Sequence, residues 1–129
     1  MKYAHLTGAI IGHAMTVHKA LGNGFQELIY QRVLEIEMSI HLLEFKREFV
    51  MPIYYREKKI GSRRVDFLVS DIVSVELKAV IKLEPVHYAQ AINYLEAYNL
   101  EVGMLLNFGS RSLEVHRFKN LKFQEKKGR

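Results

Sequence analysis

The run Ile72-Val73-Ser74-Val75-Glu76-Leu77-Lys78-Ala79-Val80 constrains this chain most. It is nearly all apolar, as expected of a central strand covered on both faces. Strand side chains alternate, so Glu76 and Lys78 share one face while Val75, Leu77 and Ala79 share the other. Ionised groups on such a strand need a partner or a ligand. A Glu76–Lys78 ion pair is the plain reading; a site is the sharper one.

The sequence just before it bears on the choice. Val65-Asp66-Phe67-Leu68-Val69 ends a second strand, expected over Ile60–Val69, and Ser70-Asp71 reads as the turn between the two. Adjacent strands let Asp66 and Glu76 converge. Two close carboxylates repel, and one is driven toward protonation. A divalent cation removes that conflict, and magnesium favours one or two carboxylates completed by waters and phosphate oxygens. Lys78 can then orient an attacking water and offset charge on phosphoryl oxygens. The residues therefore point to metal-dependent phosphodiester chemistry, with Mg²⁺ or Mn²⁺ as the cofactor.

The flanking elements supply further candidates. Residues 3–21 carry apolar residues at helical spacing and end at Gly22-Asn23-Gly24, a stop-and-restart signal. His13 and His18 are five residues apart, about 140° around a helix, so they are no ligand pair with each other and read as structural. A second helix is expected from Phe25 to Met38. Phe25, Leu28, Ile29, Val33 and Ile36 form its apolar face, and Glu27, Tyr30, Gln31, Leu34 and Met38 a neighbouring stripe. Glu27 is either a first-turn carboxylate favoured by the helix dipole or completes the site from the helix side, as a further metal ligand or as an acceptor behind the ligands. Tyr30 reads as core.

Phe45–Tyr55 alternates as a strand, and Glu57–Gly61 is expected to turn it back. Arg56, Lys58, Lys59, Arg63 and Arg64 crowd that hairpin, and Lys59, Arg63 and Arg64 are its candidate phosphate contacts. An ion pair with Asp66 is the bland reading of Arg64. Glu84-Pro85 opens a third helix, running to Tyr98. One face is Tyr88, Ala91, Ile92 and Leu95. The other is Val86, His87, Gln90, Asn93, Tyr94 and Ala97, too polar and too aromatic for a plain solvent face. On it, Gln90 is placed to bond a water, ligand or substrate, and Tyr94 and His87 to touch a phosphate or base. Two strands, 101–108 and 112–118, close the order α-α-β-β-β-α-β-β, an α/β fold with a mixed sheet flanked by helices.

Composition sets the outer bounds. A length of 129 residues suits one domain, here expected over 1–119 with a basic tail at 120–129. There is no cysteine, which excludes disulfides, thiolate ligands and cysteine nucleophiles. No apolar run reaches membrane length and no signal peptide opens the chain, so a soluble cytoplasmic protein with no membrane partner is expected. The net charge of +5 suits a polyanionic partner.

Gly24-Phe25-Gln26-Glu27-Leu28-Ile29-Tyr30 fits the G-x-x-E-x-x-Y signature of the GxxExxY protein family. Arg64–Val69, Val75–Ala79, His87–Leu95 and Leu106–Gly109 resemble its later blocks, so the likeness spans nearly the whole chain. That family is grouped with the PD-(D/E)XK nuclease-like superfamily. The resemblance implies a restriction-endonuclease-like α-β-β-β-α-β core and magnesium-dependent nuclease activity by a metal-activated water. It implies Glu27, Asp66, Glu76 and Lys78 as site positions. Gln90 and Tyr94 resemble a Q-x-x-x-Y helix motif of recombination and repair exonucleases. Val65 stands where many such nucleases have proline. The expected partner is nucleic acid, DNA ahead of RNA. Two other readings remain open on the sequence: a binding module with a nuclease fold but no turnover, and an interaction subunit, such as a homodimer, built on the many Tyr and Phe residues.

Overall fold

The computed structural model describes residues 2–125. Its elements are α1 (Ala4–Leu21), α2 (Glu27–Ile40), β1 (Phe45–Tyr55), β2 (Lys58–Val69), β3 (Val73–Lys78), α3 (Pro85–Ala97), β4 (Val102–Asn107) and β5 (Glu114–Lys119). The expected order of helices and strands is the observed one. The five strands form a single sheet in the order β1-β2-β3-β4-β5. β3 and β4 are parallel, joined through α3, and the other neighbours are antiparallel. β3 is therefore the middle strand, as its apolar run requires.

The sheet is covered on both faces. On one, Ile10, Ala14 and Val17 of α1 and Tyr30, Leu34 and Met38 of α2 pack against Phe67, Val75, Leu77, Met104 and Leu106. On the other, Tyr94 of α3 packs with Val65 and Leu68, flanked by Phe49, Met51, Tyr98 and Leu100. α3 comes close because β4 offers Gly103: a Cβ there would lie 2.8 Å from a Leu95 methyl.

The buried stripe of α2 differs from the expected one. Tyr30, Gln31, Leu34 and Met38 face the sheet, while Phe25, Leu28, Ile29 and Ile36 are exposed. Two adjacent stripes were both apolar enough to bury, and hydropathy alone does not rank them. The stripe that turned inward carries Glu27 and Gln31 with it, toward the end of the sheet where Asp66 lies. The β1–β2 turn also falls elsewhere. Arg56 and Glu57 form it, with φ of +48° and +67°, and Gly61 lies inside β2 paired with Ile53. Two successive positive φ values make the tight turn that suits hairpin twist, here without its usual Asn-Gly signal.

Two polar clamps fix the ends of β4 and α3. Buried Asn107 accepts from the backbone N–H groups of Val80 (3.0 Å) and Gly109 (3.0 Å), and donates to Val80 O (2.9 Å) and Glu114 Oε1 (2.7 Å). It thus holds the chain leaving Lys78. Gly109 is pressed against the same segment, where a Cβ would lie 2.3 Å from Val80 N. Buried Asn120 donates to Leu95 O and Leu100 O, so an ordered anchor extends into the segment expected to be a loose tail. Lys126, Lys127 and Arg129 of that expected tail lie outside the described residues. Among the described residues, no helix is long and apolar enough to cross a membrane.

Candidate nuclease centre

The centre forms where the sheet opens. β2 and β3 pair from Val69–Val73 to Phe67–Val75 and no further. Beyond that point the Leu77 N–H is taken by a side chain: Asp66 Oδ2 accepts it at 2.7 Å. The opening coincides with an irregularity in β1. Glu48 has φ +51° and leaves its pairing position opposite Asp66 unfilled. Val65 packs on the α3 side of the sheet and Phe67 on the α1/α2 side, although strand alternation would put them together. The break in alternation falls on Asp66, whose carboxylate thereby reaches both α2 and β3.

Asp66 Oδ1 accepts from Gln31 Nε2 at 2.9 Å, and Gln31 Oε1 in turn accepts from Arg47 Nη1 at 3.1 Å. α2 therefore supports the site through a residue that sequence reading placed on the right stripe without giving it a role. Glu76, 6% exposed, accepts from Arg63 Nη2 at 2.8 Å. The ion pair expected from Glu76 is thus made with Arg63 of β2 and not with Lys78. Arg63 also donates from Nη1 to Gln90 O at 2.6 Å and lies over the Tyr94 ring at 5.5 Å. One guanidinium links β2, β3 and α3.

The electrostatics tie the cluster together. Burial raises the Glu27 carboxyl pKa above its ordinary value, and Asp66 and Glu76 add to the rise while Lys78 opposes it. Burial likewise raises Asp66, against the Leu77 N–H, Lys78 and Gln31. Glu76 is raised by burial and by Asp66, against Arg63 and Lys78. So Glu27, Asp66, Glu76 and Lys78 lie within one another's fields. The three carboxylate oxygens are not all within 4.8 Å of one another, since Glu76 is turned toward Arg63 and Asp66 toward Leu77 N. Asp66 and Glu76 with waters and phosphate oxygens suit a hard cation.

The other expected contacts divide. Tyr94 is 1% exposed, covered by Arg63 and packed against Tyr98 at 4.7 Å between ring centroids, so it is not presented to a phosphate or base. Its hydroxyl is buried without a partner, and burial raises its pKa. His87 is engaged at the α3 N-terminus, where its Nδ1 accepts from Glu84 N at 2.9 Å as half of a capping box. The Gln90 side chain is exposed, and its carbonyl is the part that meets Arg63. Arg64 is exposed and makes no ion pair with Asp66, whose oxygens are held by Gln31 and Leu77 N. Lys59 sits at the hairpin tip, seven residues from Asp66 along β2 and so roughly 23 Å away at strand rise. Tyr30 is core, as expected. Its hydroxyl also accepts from Gly24 N (3.0 Å) and Phe25 N (3.2 Å) and donates to Gly22 O (2.5 Å). It fixes the loop that delivers Glu27, which explains how glycine, glutamate and tyrosine serve one site at that spacing.

The raised carboxyl pKa values have a stability consequence. A carboxyl with a folded pKa above its unfolded one binds more protons when folded. The fold then loses stability as pH rises from the unfolded pKa through the raised one, and the whole penalty is present at neutral pH. Glu27→Gln is therefore expected to melt higher than the parent at pH 7 in chelated buffer. The gap should close below the ordinary carboxylate range. Equal melting temperatures across that range would contradict the burial of a charged Glu27.

The comparisons agree with this fold. No curated protein matches the sequence. Among solved structures, the crystal structure of SSO0001 is similar with a TM-score of 0.57 at 17% identity, over 71% of this chain. The chain spans about half of that protein's length (49%), and the likeness is one of fold. A family model of the PD-(D/E)XK nuclease superfamily matches residues 4–118, which takes in α1 through most of β5. With the acidic centre on β2 and β3 and the model covering most of its length, the chain belongs to the PD-(D/E)XK nuclease superfamily.

Proposed function

We propose that this protein is a metal-dependent nuclease of the GxxExxY type, hydrolysing phosphodiester bonds of nucleic acid, DNA ahead of RNA, with Mg²⁺ or Mn²⁺. Residues 1–119 are its working unit. The observation that carries the reading is the meeting of buried Glu76 with half-buried Asp66 and Glu27, all three with carboxyl pKa values raised first by desolvation, beside Lys78 where β2 and β3 part. A divalent cation supplies the positive charge that such a cluster lacks, polarises the scissile phosphate and lowers the pKa of a water.

Each residue then has a task. Asp66 and Glu76 hold the cation, and Glu27 serves as an outer acceptor. Asp66 is oriented for this by Gln31 and the Leu77 N–H. Lys78, on the strand face of Glu76, orients the attacking water and offsets the charge developing on phosphoryl oxygens. Arg63 balances Glu76 and is the nearest guanidinium to receive a phosphate when Glu76 is taken by the cation. Gln90, exposed one bond network away, positions water or substrate. Arg64, exposed two residues before Asp66, and Lys59, farther along β2, suit the flanking backbone of a long substrate, where each adds salt-dependent affinity.

The test is cleavage of end-labelled single- and double-stranded DNA and RNA by purified protein with Mg²⁺, Mn²⁺ or EDTA. Cation-dependent products are expected from the parent protein. Salt-dependent binding with no turnover on any of these substrates would replace the reading by a binding module.

A further inference from the structure

We propose that His13, Glu37 and His41 form a binding site for a zinc-class divalent cation, separate from the carboxylate centre. Their ligand atoms lie within 4.8 Å of one another, and they are the single such trio of His, Asp and Glu among the described residues. Glu37 is near the end of α2 and His41 is its C-terminal cap, so they share a face at a spacing of four. His13 comes across from α1. The His13 and His41 rings lie 4.6 Å apart between centroids, tilted by 31°.

The imidazoles are prepared for a metal in a way chance proximity does not require. His41 Nδ1 lies 2.9 Å from Glu37 O. A carbonyl oxygen can only accept, so Nδ1 is the donor here and Nε2 is the nitrogen left for a metal. Backbone carbonyls set the tautomer of metal-binding histidines in this manner. Two imidazoles and one carboxylate favour a borderline cation such as Zn²⁺ over Mg²⁺, with a fourth tetrahedral position left to water. The carboxylate centre offers oxygen ligands and has the opposite preference. The two are well apart: Glu27 and Glu37 are ten residues apart on α2, about 15 Å along its axis. A cation here ties the end of α2 to α1, the helix pair that sets the position of Glu27.

The site escaped sequence reading because His13 was compared only with His18, and its partners lie far along the chain. Titration of tag-free, full-length protein with Co²⁺, followed by its visible d–d absorption, tests it. One equivalent with the intense bands of four-coordinate cobalt is expected, displaced by Zn²⁺ and not by Mg²⁺. His41→Gln changes an exposed side chain and should keep the fold. It and His13→Gln should weaken Co²⁺ binding by more than the roughly tenfold seen on losing an outer-sphere partner, whereas Asp66→Asn should leave the spectrum unchanged. Zn²⁺ should raise the melting temperature of the parent but not of His41→Gln. Absence of four-coordinate bands, or a His41→Gln titration that superimposes on that of the parent, would overturn the proposal.

Discussion

Asp66→Ala is expected to abolish cation-dependent cleavage, by at least about a thousandfold, while the protein still folds. The variant removes one of the two proposed cation ligands and the charge that Lys78 faces, and the loss of a charge-stabilising group alone typically takes a factor of about 10²–10³. Two structural effects oppose each other. The Leu77 N–H loses its acceptor, which costs about 1–3 kcal/mol. Against that, a carboxylate whose burial is unfavourable is gone. A moderate change in melting temperature is therefore expected beside a near-total loss of turnover. Lys78→Ala separates the roles further. Lys78 accepts no backbone duty through its side chain, so cation binding should persist while cleavage falls by about 10²-fold or more. Equal residual cleavage in both variants would identify a contaminating enzyme and remove the assignment.

Asn107→Ala is expected to be the most destabilising single substitution on the polar side of the fold. The side chain makes four hydrogen bonds from a fully buried position. Truncation leaves Val80 N–H and O and Gly109 N–H without partners. A buried group left unsatisfied costs about 1–3 kcal/mol, and because Val80 and Gly109 are only partly buried a loss of about 2–4 kcal/mol follows. That is a large part of a typical domain's stability. Chemical denaturation should show the midpoint moving down with little change in slope. The site should suffer as well, because Val80 is two residues beyond Lys78. A midpoint within experimental error of the parent would show that Asn107 does not clamp this segment.

Legibility in the sequence differs from residue to residue, for physical reasons. β3 was legible because an apolar run broken by Glu76 and Lys78 suits a central strand whose charges are paired or ligated, and little else. Asp66 was legible through its place on the adjacent strand. The buried stripe of α2 was not, because Leu28, Ile29 and Ile36 are as hydrophobic as Leu34 and Met38, and only the sheet decides between them. Arg63 as the partner of Glu76 was not legible either. The hairpin offered five cations in nine residues, Arg56 to Arg64, and reach across β2 to β3 is a matter of twist. Gln31 had a faint signal: a glutamine four residues after Glu27, on the same face of a helix. Asn107 had almost none, since one polar residue at the end of an apolar strand commonly marks a turn. Tyr94 reads as a phosphate or base contact from its place beside Gln90 on the polar face of α3, yet it is the floor on which Arg63 rests.

The irregular stretch around Glu48 gives the site its reason to exist where it does. Regular pairing through Glu48 and Asp66 would seat Asp66 on one face of the sheet. The positive φ at Glu48 and the end of β2–β3 pairing at Phe67 free the Asp66 carboxylate to meet α2 from one side and β3 from the other. Local departures from regular structure of this kind collect at functional sites, where surrounding contacts hold them in place.

Diffraction from crystals soaked in Mn²⁺ at millimolar concentration, recorded for anomalous signal, tests the central claim most directly. A manganese peak coordinated by Asp66 and Glu76 is the expected result, with Arg63 displaced from the Glu76 oxygen it now holds at 2.8 Å. A Glu76 still paired with Arg63 and no manganese beside Asp66 would contradict the account.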